Sequence, residues 1–343
     1  MRIKILCTLG PASLRADVIR ALDRQQIDLF RINLSHTPLE AVEPTIDLVQ
    51  AHSATPICLD SEGPQVRCGM IDGLGEAQLE AGQTIRLVSE HVPGTSDQVT
   101  LWPASAFGAL TPGARVGIDF DGVQLRVTTS DGRSAEAVVV SPGRIRSNKA
   151  VTIDPKPHLP ALSPKDLEAI GIGARKGIAH YALSFAGSAK DVDRLRSLAP
   201  AGTHIIAKIE SKQGVRNMDH IIEAADSVLV DRGDLSREIA LESVPYYQKA
   251  IVRRANRWNR PVYVATNLLE SMVTGNVPTI AEANDIANTL LDGVHGLVLA
   301  AETAVGRDPV GAVQMVIRSV RAFERVNDSQ LVDDDPVATA SPA

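Results

Sequence analysis

The chain has 343 residues, 44% hydrophobic and 22% charged, with a formal net charge of −6. A domain commonly holds about 100–200 residues, so one large domain or two moderate ones are expected, with core enough to need no disulfide or metal staple. No apolar run is long enough to span a bilayer, the three cysteines (Cys7, Cys58, Cys68) have neither disulfide nor metal-ligand spacing, and the mild acidity argues against a nucleic-acid polyanion as partner. Met1-Arg2-Ile3-Lys4-Ile5 runs straight into a strand-like segment with no leader, so a soluble cytoplasmic protein is expected, with no membrane and no nucleic acid among its partners. Of the 35 basic residues only 9 are lysine, so a lysine inside an apolar strand stands out.

The predicted elements alternate from the start. Residues 3–9 read as a buried strand, and residues 13–25 carry Leu14, Val18, Ile19 and Leu22 at helical spacing, with Ser13 as the expected N-cap. A strand at 28–34, a helix at about 38–52 and a strand at 56–60 follow. Residues 70–150 lose the helical period. Segments 84–88 and 123–128 alternate at period two between Thr111-Pro112-Gly113, Ser130-Asp131-Gly132 and Ser141-Pro142-Gly143, which predicts a small all-β domain inserted after the third strand. From Ser163 the βα alternation resumes, with strands at 179–184, 204–210, 227–230, 261–266 and 296–300 and a last helix at 310–325. Three strands before the insert and five after it, each followed by a helix, predict an α/β fold: a (β/α)8 TIM barrel formed by 1–69 and 151–326. The acidic, Pro/Ala/Ser-rich stretch 327–343 reads as a disordered tail.

In such a barrel the reacting groups lie at the carboxyl ends of the strands. Lys208 and Glu210 are two residues apart on one strand and so share its inner face with Ile206. The plain structural alternative is a buried ion pair, which is often neutral for stability. Glu210 and Asp234 end neighbouring strands and could share a hard divalent cation, Mg2+ or Mn2+. Arg31 and Arg67 offer guanidinium forks suited to phosphate oxygens. Asn33, Ser35, Asp60 and Ser61 form a second oxygen-rich group, a candidate site for a monovalent cation. There is no Walker A loop and no dinucleotide fingerprint, so metal-assisted phosphoryl chemistry fits best.

At these residues the sequence resembles the pyruvate kinase family, over residues 1 to about 326. The motifs run in family order: Ile5-Leu-Cys-Thr-Leu-Gly-Pro-Ala-Ser13, Arg31-Ile-Asn-Leu-Ser-His36, Leu59-Asp-Ser-Glu-Gly-Pro-Gln-Val-Arg67, Ala207-Lys-Ile-Glu210, Arg232-Gly-Asp-Leu235, Ala265-Thr-Asn-Leu-Leu-Glu-Ser-Met272 and Glu302-Thr-Ala304. The insert resembles that family's β-rich lid, and the family's C-terminal regulatory domain has no counterpart here. The resemblance implies that Lys208 stabilises the phosphoryl group in flight, with Thr266 and Arg31 beside it in the catalytic set. It implies that Glu210 and Asp234 hold the divalent metal, and that the backbone of Gly233 and Asp234 with the Thr266 hydroxyl binds the substrate carboxylate. Arg31, Asn33, His36, Arg67 and Lys149 would face the phosphates of ADP or ATP. Asn33, Ser35, Asp60 and Ser61 match the family's K+ site. A homodimer is compatible with the resemblance; control by a sugar phosphate at the absent domain is not expected.

The departures bear on the substrate. Asp231 stands where the family usually has Ala, beside the expected carboxylate pocket, where like charges disfavour one another. Either Asp231 turns away, it gains a counter-ion, or the substrate differs from phosphoenolpyruvate. Ser236 replaces a Gly, Ala300-Ala301 replace Ser-Gly, Asn267 a Gln, Ile280 an Arg and Glu62 a Lys. Gln65 stands where K+-dependent members carry Glu and independent ones Lys, which leaves K+ open. Two other functions remain alternatives: a metal-dependent keto-acid or enolate enzyme of C–C lyase or aldolase type, and a non-catalytic binding protein on a degenerate scaffold.

Overall fold

The computed structural model describes residues 2–119 and 122–327; the segment 328–343, which holds nearly all of the expected tail, lies outside them. Two compact units divide the chain. One takes the residues up to Gly63 and from Ala161 onward, the other Pro64–Pro160.

The first unit is a closed barrel of eight parallel strands. In chain order they are β1 (Lys4–Leu9), β2 (Leu29–Asn33), β3 (Ile57–Asp60), β4 (His180–Leu183), β5 (His204–Lys208), β6 (Ser227–Asp231), β7 (Val262–Ala265) and β8 (Gly296–Leu299). Neighbours in sequence are neighbours in space, and β8 closes on β1 with Lys4 opposite Gly296. Outward residues such as Cys7, Phe30, Leu59, Ile205, Val230 and Leu297 pack under the helices in one apolar cluster. Inward residues Leu6, Leu29, Cys58, Ala182, Ile206, Leu229, Tyr263, Ala265 and Val298 fill the barrel as a second cluster.

Period-two alternation then dictates what lies above that filling. Two residues further along their strands come Thr8, Arg31, Asp60, Ser184, Lys208 and Asp231, all at most 4% exposed. A polar ring therefore sits directly on an apolar plug, at the carboxyl ends of six strands.

Local caps set the entry to several helices. Ser163 and Asp166 form a reciprocal capping box on helix Pro164–Arg175, and Thr279 and Glu282 form another on Ile280–Leu291. Ser13, expected as a cap, instead closes the turn after β1, where its Oγ accepts the Gly10 N–H at 3.1 Å. The helix begins at Ala16, with Arg15 at the N-cap. Gly10 is required in that turn, because a Cβ there would stand 2.6 Å from the Ala304 carbonyl oxygen.

The second unit is a closed seven-stranded mixed barrel of Val66–Cys68, Thr84–Val88, Gln98–Trp102, Arg115–Ile118, Val123–Ser130, Ser134–Ser141 and Ala150–Asp154. Glu76–Leu79 and Gly143–Arg146 form a separate two-stranded sheet. Its own core includes Leu79, Leu87, Leu101, Phe107, Val116, Leu125 and Ile153. No described helix is long and apolar enough to cross a membrane.

Candidate active site at the carboxyl end of the barrel

Lys208, the last residue of β5, is 3% exposed and surrounded by oxygen. Its Nζ lies 3.0 Å from Ser184 Oγ, 3.3 Å from Asp60 Oδ2, 3.3 Å from Glu210 Oε2 and 3.8 Å from Asp231 Oδ2. Burial alone would lower the pKa of this ammonium. The charges of Asp60 and Glu210 outweigh burial and hold it above the usual lysine value. The surrounding carboxylates thus favour the charged form of Lys208.

Asp60 couples Lys208 to Arg31. Arg31 Nε donates to Asp60 Oδ2 at 2.7 Å, its Nη2 pairs with the same carboxylate, and its Nη1 donates to Thr8 Oγ1 at 2.9 Å. Burial raises the Asp60 carboxyl, but Arg31 and Lys208 together bring it below the ordinary range. Of the five guanidinium N–H groups, one on each terminal nitrogen is left beyond these contacts.

The carboxylates of Glu210, Asp231 and Asp234 converge, with one oxygen of each within 4.8 Å of the others. Glu210 is fully buried; its Oε1 accepts the Phe185 N–H at 2.7 Å, while Oε2 has no hydrogen-bond partner. Burial, with the nearby carboxylates Asp234 and Asp231 opposing Lys208, raises its pKa well above the ordinary value. Asp234 is partly exposed and pairs with Arg237 at 3.0 Å; burial and then Asp231 raise its pKa too. Oxygen ligands on converging carboxylates suit a hard divalent cation, and Glu210 Oε2 is buried with no hydrogen bond of its own beyond the Lys208 ion pair. The residues fit the metal that the resemblance implies.

Asp231 does not turn away. It ends β6 on the inner face, 4% exposed, and caps helix Arg232–Glu238 through the Asp234 N–H at 3.5 Å. Thr266 follows β7 with φ +70°, a left-handed conformation that is rare for a β-branched residue. Arg232 holds it there. Its Nε and Nη2 donate to the Thr266 carbonyl at 3.1 and 2.6 Å, while Nη1 grips both oxygens of Asp285 at 2.9 and 2.7 Å. The Thr266 hydroxyl is thereby placed 2.8 Å from the Gly233 nitrogen and 3.2 Å from Asp231 Oδ1. Ser236 Oγ bonds back to the Gly233 carbonyl at 2.8 Å.

Asn33 ends β2 opposite Asp60, with its Oδ1 accepting the Ser35 N–H at 3.0 Å. Ser61 Oγ accepts the Ser184 N–H at 2.9 Å. His36 is exposed in the turn after β2. In the second unit, Arg67 donates to the Asn148 carbonyl and to Gln65 Oε1, both at 2.9 Å, and Lys149 lies 3.5 Å from Asp119.

Sequence reasoning passed over Ser184, Arg232 and Asp166. Ser184 sits one period beyond the apolar Ala182, a signal as readable as that of Lys208. Asp166 gathers the N–H groups of Glu62, Gly63 and Ser163 at 2.7, 3.1 and 2.8 Å and so fixes the turn after β3, a role no local pattern announces.

Fold and site together define a (β/α)8 barrel with a ring of carboxylates and buried cations at its carboxyl end. The comparisons narrow this. Residues 1–313 match the family profile described as pyruvate kinase, barrel domain. A pyruvate kinase of Methylorubrum extorquens is 38% identical over 334 residues, covering 94% of this chain and 69% of the relative. One of Mycobacterium tuberculosis is 35% identical over 337 residues (94% and 70%), and one of Geobacillus stearothermophilus 34% over 359 residues (98% and 61%). The chain belongs to the pyruvate kinase family, and it spans about two thirds of the length of these relatives.

Proposed function

We propose that the protein is a phosphotransferase of the pyruvate kinase type, dependent on Mg2+ or Mn2+. It would move phosphate between phosphoenolpyruvate, or a related enol or carboxylate substrate, and ADP or ATP. The observation that carries this reading is the buried Lys208 ammonium, paired at 3.3 Å with Oε2 of a Glu210 carboxylate that converges with Asp234.

In the forward direction the P–O bond to the enol oxygen breaks and a P–O bond forms to a terminal phosphate oxygen of ADP. The enol carbon takes up a proton to give the keto acid. Phosphoryl transfer asks for positioning and for charge stabilisation more than for covalent help. Glu210 and Asp234 would hold the divalent ion, which when bound neutralises charge on phosphate oxygens. Lys208, its charged form favoured by Asp60 and Glu210, would meet the oxygens of the phosphoryl group in transit. Thr266 would orient the substrate together with the N–H groups of Gly233 and Asp234, which would exchange their bonds to Thr266 Oγ1 and Asp231 Oδ1 for the substrate carboxylate. Arg31, with two N–H groups to spare, would take the nucleotide side with Asn33 and His36.

The test is ATP formation from ADP and phosphoenolpyruvate, with and without Mg2+ or Mn2+ and with and without K+. Metal-dependent ATP formation is expected. Absence of phosphotransfer to ADP from phosphoenolpyruvate and from a panel of related enol phosphates contradicts the reading. Calorimetric binding of ADP or ATP separates it from a keto-acid lyase, which has no use for a nucleotide.

A further inference from the structure

Asp231 is the surplus negative charge of the barrel top. The ion pairs there join four carboxylates, those of Asp60, Glu210, Asp231 and Asp234, to three cations, Arg31, Lys208 and Arg237. Asp60 holds Arg31 and Lys208 together, Glu210 meets Lys208 at 3.3 Å, and Asp234 meets Arg237 at 3.0 Å. Asp231 has only the 3.8 Å approach of Lys208, long for an ion pair.

The plain account of Asp231 is an N-cap for helix Arg232–Glu238. A cap explains one oxygen and not the place. A seryl or asparaginyl cap would do the same at no charge, whereas this carboxylate is 4% exposed and within 4.8 Å of two others. Burying like charges together is costly unless a cation joins them. The fully buried Glu210 Oε2 adds to this: it makes no hydrogen bond, and its one charged neighbour, the Lys208 ammonium at 3.3 Å, is already shared with Asp60.

We infer that Asp231 is a third carboxylate of the divalent-cation site, so that the protein, unlike a two-carboxylate barrel, builds a tight metal site without help from substrate. Mg2+ usually takes one or two carboxylates and leaves the rest of its shell to substrate and water. A third protein carboxylate raises the affinity of the substrate-free protein. It also lowers the net positive charge of the loaded site by one, which weakens its pull on an anionic substrate group. The inference rests on the reading of the barrel top as the metal site of a phosphotransferase, but its test does not require turnover.

The experiment is Mn2+ binding to the full chain without substrate, followed by calorimetry and by the electron paramagnetic resonance of free Mn2+. Wild type, Asp231→Asn and Glu210→Gln are compared. Asparagine is as good an N-cap and keeps the side-chain shape, so Asp231→Asn removes the charge alone. Thermal unfolding of the metal-free proteins verifies that each variant folds, and Asp231→Ser is the second capping variant. The expected result is one Mn2+ per chain for the wild type and a Kd raised at least about tenfold by Asp231→Asn, in line with loss of a ligand charge. Unchanged Mn2+ affinity in both Asp231 variants, with affinity lost in Glu210→Gln, overturns the inference and leaves the phosphotransfer reading standing. No Mn2+ binding by the substrate-free wild type also overturns the inference, whereas the phosphotransfer reading falls only if ATP formation from ADP and phosphoenolpyruvate fails.

Discussion

Lys208, the last residue of β5, and Glu210, two residues past the end of that strand, face opposite electrostatic demands. The ammonium is held charged by its carboxylate neighbours, whereas the Glu210 and Asp234 carboxyls are pushed up, first by burial and then by neighbouring carboxylates. The sign of the consequence follows from linkage. Unfolded carboxyls titrate at about 4. Between that value and the raised native one, the native state holds more protons than the unfolded chain, so metal-free stability falls as pH rises through the window. A divalent cation displaces those protons and restores the loss. Thermal unfolding in EDTA and in Mn2+, followed from about pH 5 to pH 8, is expected to show a metal-dependent gain in Tm that grows with pH. A gain that shrinks with pH contradicts this account of the carboxylates.

Elements, rather than single side chains, decide how precisely the ring is held. Asp166 caps helix Pro164–Arg175 and also receives the Glu62 and Gly63 N–H groups, so one carboxylate ties that helix to the turn where Gly63 adopts φ +72°. Asp166→Ala leaves these donors without an acceptor. It is expected to cost about 3 kcal/mol in urea unfolding, combining a lost cap with unpaired buried N–H groups. A cost near zero would mean that water or another acceptor replaces the carboxylate. Much of the element pattern was legible in the sequence, because the barrel's strands follow buried apolar runs and their inner faces follow period two. Lys208 and Glu210 were readable on that ground, and Ser184 should have been. Asp166 and Arg232 were not, since their meaning lies in partners 103–104 and 53 residues away. The Ser13 cap failed for a related reason: the turn after β1 uses its hydroxyl to bind Gly10, and the helix starts three residues later.

At the scale of the molecule, six of the eight strands deliver inward polar residues onto one apolar plug, and the buried pairs of Asp60 and Glu210 with Arg31 and Lys208 lie at the strands' carboxyl ends. The chain belongs to the pyruvate kinase family, and Asp231 lies within this ring, 3.8 Å from Lys208. The sequence alone posed three fates for Asp231. The structure settles its position: it stays inside, with Lys208 as a distant counter-ion and Thr266 at hydrogen-bond distance. In the proposed reaction, the barrel's carboxyl end transfers a phosphoryl group stabilised by the charge of Lys208. This proposal is tested most directly by measuring Mg2+-dependent ATP formation from ADP and phosphoenolpyruvate in wild type and Lys208→Met. The account predicts activity in the wild type and a loss of about 10³-fold in a variant that still folds. Undiminished turnover in folded Lys208→Met would contradict it.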